Sequence, residues 1–263
     1  MKYRGDPTAW KVSIAFLQER MDLEKSQVLD IGFGSGGFSL ALAQHAHKVV
    51  NLDIRLNETR NFRNVIDQDN IENILVSRAD ANNMPYVERS FDLVVLNGVL
   101  EYTANGQEGD PREVHVNVLK YVRKMLRPGG LLYLGIENRY YLKFLLGFKA
   151  HEDMRFATVL PRGLATILSK TFSNKEFRNY VYSYNEYSDL LGDAGFDHIE
   201  FYTALPSYKL PEYILPIDDK EDIKNKIQGT NAKAIYRYAS YLLAHSNYLY
   251  KKIGPDFVIL CRA

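Results

Sequence analysis

The chain is poor in the features that mark secreted, metal-laced or membrane-spanning proteins. Its 263 residues hold one cysteine, Cys261, and one tryptophan. A lone thiol excludes an internal disulfide framework and a cysteine-rich metal site, and it points to a reducing cytoplasm. Charge of one sign is missing too: 33 Lys and Arg face 32 Asp and Glu, a formal net charge of +1. Bulk electrostatic attraction to nucleic acid is therefore not expected. No window approaches the roughly 18 apolar residues of a membrane span, and Met1–Arg20 carries no apolar run of signal-peptide type. Internal repeats, low-complexity tracts and Pro-, Gly- or Ser-rich linkers are absent as well.

What remains is ordinary for a globule with a real core: 46% hydrophobic and 25% charged residues. The unusual abundance is tyrosine. Nineteen are present, crowded into Tyr133–Tyr141, Tyr180–Tyr187 and Tyr236–Tyr250. They read as amphipathic core and surface residues, or as an aromatic surface suited to stacking on sugars or flat rings.

Strand-length apolar runs alternate with helical patterns, which predicts a parallel α/β sheet. Pro7–Met21 reads as a helix, with Asp6 as N-cap and Pro7 in the first position. Strands are expected at Gln27–Ile31, Lys48–Asp53, Ile74–Arg78, Phe91–Leu96 and Leu131–Ile136, with helices at Gly37–Gln44, Glu58–Asp67 and Arg112–Leu126 between them. Arg127–Gly130, "RPGG", stops the last helix and turns the chain into a strand. A helix from Asn185 to about Gly195, a strand at "HIEFYTA" and a closing strand in "DFVILCRA" complete the pattern. Two segments interrupt it. Arg139–Tyr184 leaves the carboxyl end of the fifth strand, where open α/β sheets place their ligands, and it is expected to form a lid. Leu205–Gly254 separates the last two strands.

"VLDIGFGSG" abandons side chains where a strand ends and a helix begins. Gly32, Gly34, Gly36 and Gly37 permit a tight turn and let a ligand approach the backbone. Gly32, Gly34 and Gly37 also match G-x-G-x-x-G, so a dinucleotide site is an alternative. Three acids help to decide, of which Asp53 suits either nucleotide class. Asp30, on the strand, would repel a pyrophosphate but accept a hydrogen bond from an amine-bearing ligand. Asp53, at the end of the second strand, suits a ribose diol. Asp80, after the third, can receive an adenine amino group.

"VLDIGFGSG", "VVNLDI", "RADANNMPY", "FDLVVLNGVLEY" and "LRPGGLLYLGIEN", in this order and spacing, resemble the class I S-adenosylmethionine-dependent methyltransferases. The resemblance covers Val28–Asn138. It implies a Rossmann-like, seven-stranded, mostly parallel sheet with helices on both faces and Phe257–Arg262 as an antiparallel last strand. It implies one domain over residues 1–263: an N-terminal helix in 1–26, a cofactor-binding half in 27–138, a lid in 139–184, and a C-terminal half in 185–263 that carries the insertion 205–254. S-adenosylmethionine is the implied cofactor and S-adenosylhomocysteine its product. The methionine portion would lie near Asp30 and Gly32, with Phe33, Gly34 and Gly36 completing the loop. Ribose would lie on Asp53, adenine against Ile54, Asp80 and Ala81, and the methyl sulfonium beside Asn97 and Gly98.

The acceptor is less legible, because an activated donor needs few catalytic groups. Glu137, Asn138 and Arg139 leave the fifth strand towards the crevice, and His151, Glu152 and Asp153 follow in the lid. A carboxylate or histidine there can act as general base on a hydroxyl. The same residues also read as a salt-bridged turn and a solvated loop, and no metal is expected. "IENRYYLKFLLG…HED", with "GFDHIEFYTALPSYKLPEYILP", more loosely resembles bacterial methyltransferases associated with glycosyltransferases of cell-surface polysaccharide assembly. After the histidine this chain departs from them, with "EDMRF" where a small residue and glycine are expected. The resemblance implies O-methylation of a sugar or glycan, with glycosyltransferases of the same pathway as partners. A small aromatic or isoprenoid acceptor, and a non-catalytic cofactor-binding scaffold, are the alternatives.

Overall fold

The sheet is ordered by one rule: alternate side chains of every central strand find a different helical layer. The structure, a computed structural model, describes residues 5–148, 155–174 and 176–263. Its strands are β1 (Gln27–Ile31), β2 (Lys48–Asp53), β3 (Ile74–Arg78), β4 (Phe91–Asn97), β5 (Leu126–Ile136), β6 (His198–Leu205), β7 (Tyr213–Pro216) and β8 (Phe257–Arg262). They form one sheet in the order β3-β2-β1-β4-β5-β8-β6-β7. β1 to β5 run parallel, and β8 lies antiparallel between β5 and β6.

Helix α1 (Lys11–Gln18), preceded by a 3-10 turn at Pro7–Trp10, packs on one face with α2 (Gly37–Ala43) and α3 (Leu56–Gln68). Ile14, Leu17, Phe38, Leu42 and Phe62 meet Val28, Val49, Leu93, Val95 and Tyr133 there. On the other face α4 (Pro111–Met125) and α7 (Tyr184–Asp193) set Val118, Leu119, Val122, Leu190 and Leu191 against Leu29, Leu52, Val94, Leu96 and Leu134. Because both faces are covered, the strands read as continuous apolar runs rather than alternating ones. Helix starts follow local chemistry. Asp6 and Asp110 cap their helices ahead of a proline, and Ser183 with Glu186 forms a capping box on α7.

The sheet has eight strands where seven were expected. The extra one, β7, lies inside Leu205–Gly254 and pairs antiparallel with β6 at the sheet edge. "YILP" is too short and too proline-bounded to read as a strand, and an edge is where a ladder tolerates Pro216. "RPGG" also differs from its expected role. It sits within β5 as a bulge, across which the β4–β5 register slips between Phe91 and Leu93. Gly129 there adopts φ 79° and donates its amide to the Ala263 carbonyl.

The remainder of Leu205–Gly254 forms α8 (Lys220–Ile227), α9 (Ala234–Leu243) and α10 (Asn247–Ile253). In Arg139–Tyr184 the described residues include α5 (Leu142–Leu145) and α6 (Arg162–Ser173). Several tyrosines serve the core: Tyr133, Tyr182, Tyr187, Tyr208 and Tyr250 are fully buried. No helix among the described residues is long and apolar enough to cross a membrane.

Leu134 sits wholly buried in the layer under α7. Leu134→Ala is expected to remove about 2–5 kcal/mol of stability, the range for a buried leucine truncation. Urea unfolding should show a lower midpoint at unchanged slope.

Candidate active site

β1 and β4 are neighbours, yet the chain leaves β1 towards β2 and leaves β4 towards β5. Their loops therefore part at the carboxyl ends and leave a crevice at the switch point of the strand order. The β1 loop is shaped by its glycines. Gly32, Gly34 and Gly36 all have positive φ, at 69°, 60° and 80°. A side chain on Gly32 would strike Val99, and one on Gly36 would strike the Phe62 ring. Above Gly34 the space is open: the nearest atom to a Cβ there is the Gly32 carbonyl oxygen, 4.0 Å away. Two glycines are thus spent on packing the loop, and the third leaves backbone bare to a ligand. Phe33 is buried against Phe62, with ring centroids 4.9 Å apart.

Asp30 is buried beneath the loop. Ser39 donates its hydroxyl to Asp30 Oδ2 at 2.6 Å, and the Asn51 amide donates in turn to Ser39. Burial pushes the Asp30 carboxyl up to about 7, against the lowering effect of the Ser39 bond and with a further push from Asp53. Asp53 ends β2 with both carboxylate oxygens engaged by one neighbour. Arg55 donates its backbone amide and Nε to Oδ1 at 2.9 and 3.0 Å, and a terminal guanidinium nitrogen to Oδ2 at 2.8 Å. A ribose diol on Asp53 must displace that guanidinium, which is half-exposed and also lies 3.3 Å from Glu58.

Ile54 stands beside it, 56% exposed, an apolar platform at the crevice rim fit to meet a flat ring. Across from it, Asp80 accepts the Asn82 amide and side chain at 2.9 Å and Gln107 at 3.1 Å, which ties the loop after β3 to the loop after β4. Ala81 is buried at the base of that loop.

At the end of β4, Gly98 (φ 73°) donates its amide to the Gly135 carbonyl at 2.8 Å. Asn97 turns its Oδ1 towards Gly135, and among the described residues no hydrogen bond reaches that buried oxygen. An amine-bearing ligand with a flat base and a diol fits these groups. It finds bare backbone at Gly34, an unmet acceptor at Asn97, a buried acid at Asp30 and the Asp53 carboxylate buried under Arg55.

The expected acceptor residues have divided roles. Glu137 is buried: Tyr208 donates its hydroxyl to Oε2 at 3.2 Å, and Lys209 Nζ lies 2.9 Å from Oε1. Asn138 and Arg139, expected beside Glu137 in catalysis, are engaged by the two insertions. Asn138 donates to the Gly254 carbonyl at 3.1 Å and bridges to Tyr182. Arg139 donates to the carbonyls of Thr158 and Leu160 and pairs with Glu186 at 2.8 Å. Arg139 is thus met by backbone carbonyls and a carboxylate, and Asn138 by the carbonyl that follows α10. At the far end of the lid, Arg178 donates to the carbonyls of Ala104 and Gly109 in the loop after β4. The segment is thus tied to α7 and to the loop after β4. His151, Glu152 and Asp153 lie outside the described residues.

Missed by sequence reasoning were Tyr208 and Lys209, from the segment after β6, and Asp256, just before β8. Asp256 is buried, accepts from Ser207 at 2.7 Å and lies 3.4 Å from Lys143. Burial pushes its carboxyl up. The quoted run "TALPSYKLP" contained two of these residues, but nothing local tied it to Glu137. Among the described residues no group of three His, Cys, Asp or Glu side chains is placed to hold a metal.

Fold and loop geometry define a Rossmann-like domain of the kind that S-adenosylmethionine-dependent methyltransferases share, and the comparisons find similarity to such proteins. Residues 29–134 match a family described as a methyltransferase domain. The chain is 24% identical over 152 residues to a ubiquinone biosynthesis O-methyltransferase of Coxiella burnetii, across 58% of this chain and 60% of that one. It is 30% identical over 128 residues to a tRNA 5-carboxymethoxyuridine methyltransferase of Escherichia coli, across 46% and 44%. The chain thus spans less than two thirds of these relatives' length. A SAM-dependent methyltransferase of Aquifex aeolicus shares the fold at a TM-score of 0.52 and 16% identity, across 76% of this chain and 87% of that one. S-adenosylmethionine is the cofactor of this class, and the crevice fits it.

Two outcomes follow from the acids. Asp53→Ala should weaken S-adenosylhomocysteine binding by about 1.5–3 kcal/mol, the value of hydrogen bonds to a charged group. Arg55→Ala, which frees the carboxylate, should tighten it, and calorimetry distinguishes the two signs. Asp30 must be anionic to hold a cationic ligand, and its proton leaves at about pH 7. The dissociation constant should therefore fall as pH rises from 6 to 8, and Asp30→Asn should flatten the profile.

Proposed function

We propose that the chain is an S-adenosylmethionine-dependent O-methyltransferase whose acceptor is a hydroxyl on a polar molecule, a sugar or glycan of cell-surface polysaccharide assembly. The observation that carries this reading is the cluster beside Asn97 and Gly98: Glu137 held between the Tyr208 hydroxyl and the Lys209 ammonium. When bound, the cofactor supplies an electrophilic methyl on a sulfonium, and the protein's task is alignment, water exclusion and removal of one proton.

Glu137 is the group that takes the acceptor's proton. Lys209 stabilises its negative charge, and the bond from Tyr208 fixes the carboxylate plane. An incoming hydroxyl replaces Tyr208 on one oxygen while Lys209 holds the other. The lid, fastened through Arg139 and Arg178, walls the crevice on its acceptor side and keeps water from the reacting atoms. His151 remains a second candidate base from the same segment.

A phenolic, prenylated acceptor is the second reading. It is favoured by the O-methyltransferase relative named for ubiquinone biosynthesis and by Leu145, Leu146 and Phe148, exposed at the end of α5. The tRNA-modifying relative adds nucleic acid to the acceptors worth testing, although the chain's net charge is only +1.

Transfer of labelled methyl to nucleotide-linked sugars or isolated surface glycan, and not to catechols or tRNA, is the result expected; label on catechol or tRNA alone would overturn the acceptor assignment. With the true acceptor, Glu137→Gln should lower kcat by about 10²–10⁴, the span of a lost acid–base group. Cofactor affinity should change little. Full turnover by that variant would move the base elsewhere.

A further inference from the structure

α6 is built inside out. Leu164, Ile167, Leu168 and Phe172 recur at i, i+3, i+4 and i+8 and form one apolar stripe along the helix. On a helix that packs against a core such a stripe turns inward. Here Leu164, Ile167 and Phe172 are 44%, 63% and 78% exposed, while the opposite side buries the small residues Ala165 and Ser169. Arg162, on that inner side, is spent within the protein: it stacks over Tyr180 and Tyr182 and pairs with Glu186. The apolar cluster beneath the helix is small, with Ala157, Ala165 and Phe177 as its buried members.

The stripe stands in basic surroundings. From Met154 to Lys175 every charged residue is a cation: Arg155, Arg162, Lys170 and Lys175. Arg139–Tyr184 as a whole holds eight Lys and Arg against three Asp and Glu, in a chain that totals 33 against 32. Arg155 and Lys170 are exposed. Leu146 and Phe156, the latter packed over Gly147, add exposed apolar surface to the same segment.

We propose that α6 docks the protein on an anionic lipid surface, the stripe of Leu164, Ile167 and Phe172 entering the acyl boundary while Lys170 and Arg155 meet headgroup phosphates. An apolar stripe flanked by cations, with no acid near it, is the pattern by which a helix lies in the interface of such a bilayer. Its 12 residues reach about 18 Å, enough to lie on a membrane and too few to cross one. The same charges disfavour a second copy of this chain as the occupant. A two-fold contact of α6 on α6 would bring basic surface against basic surface and exclude water from between them. A neutral apolar partner would leave the cations unanswered.

Co-sedimentation of the full chain with lipid vesicles is the test, using phosphatidylcholine alone and phosphatidylcholine mixed with phosphatidylglycerol. Partitioning onto the mixed vesicles should exceed that onto the neutral ones by about tenfold or more and should weaken as salt is raised. Ile167→Ser combined with Phe172→Ser, both at exposed positions, should lower it by about tenfold or more, because binding scales with the apolar area buried. Lys170→Glu should lower it by about fivefold or more on mixed vesicles and leave neutral vesicles unaffected. Val87→Ser, at a position as exposed as Phe172, should change nothing.

Failure to bind the mixed vesicles, equal binding to both kinds, or full binding by the double serine variant overturns the proposal. If instead the wild-type chain self-associates without lipid and the double serine variant is a monomer, the stripe belongs to a second copy and the proposal is overturned as well. Calorimetry with S-adenosylhomocysteine should give one affinity for all these variants, so loss of the docking helix leaves the methyltransferase reading standing.

Discussion

The parting of two hydrogen-bonded strands governs this molecule. β1 and β4 share a ladder from Val28 and Leu93 to Ile31 and Leu96, and then their chains turn to opposite flanks of the sheet. A side chain at either lip would clash with its surroundings, so the chain turns there on glycines. Gly32 and Gly98, each at a positive φ, mark the two lips. The packing of Val99 over Gly32 and of Tyr208 over Gly98 shows how closely the lips are built.

Around that gap the protein buries charge, which is costly unless each charge is answered. Each answer comes from a different stretch of chain. Asp30 is answered by Ser39 and through it by Asn51, Asp53 by Arg55, Glu137 by Tyr208 and Lys209, and Asp256 by Ser207 and Lys143. Asp30 and Asp53 use partners within about twenty residues of themselves. Glu137 and Asp256 draw on residues separated by 49 to more than 100 positions. This asymmetry has a physical basis. The first two acids sit on consecutive β–α units, where loop and acid are neighbours by construction, whereas the other two meet partners carried by the two insertions.

Those insertions do different work. The segment after β5 is held by its guanidinium groups: Arg139 and Arg162 converge on Glu186, Arg162 stacks over Tyr180 and Tyr182, and Arg178 reaches the loop after β4. The segment after β6 adds β7 to the sheet edge and delivers Tyr208 and Lys209 to Glu137. Asn138 ties the two together by donating to the carbonyl that follows α10. Residues that looked catalytic from their position at a strand end are therefore split. Glu137 is held by Tyr208 and Lys209, while its two successors bind the insertions.

The sequence by itself determined most of the sheet, the glycine loop and the strand-end positions of the three acids. Those features are local: an apolar run fixes a strand, a proline behind an aspartate starts a helix, and glycine is the residue that tolerates φ 80° at Gly36. The first four strands were legible to within a residue, and so was the antiparallel closing strand, because burial on both faces leaves an uninterrupted apolar signature. Tertiary structure alone decided the eighth strand, the bulge at "RPGG", the guanidinium on Asp53 and the company of Glu137. Four residues ending in proline have no strand signature until an edge stands beside them. A tyrosine 71 positions from a glutamate carries no sign of its partner until the insertion folds back over the sheet. Pairings that close long loops are set by the packing of whole elements, and that information lies in no single stretch of the chain.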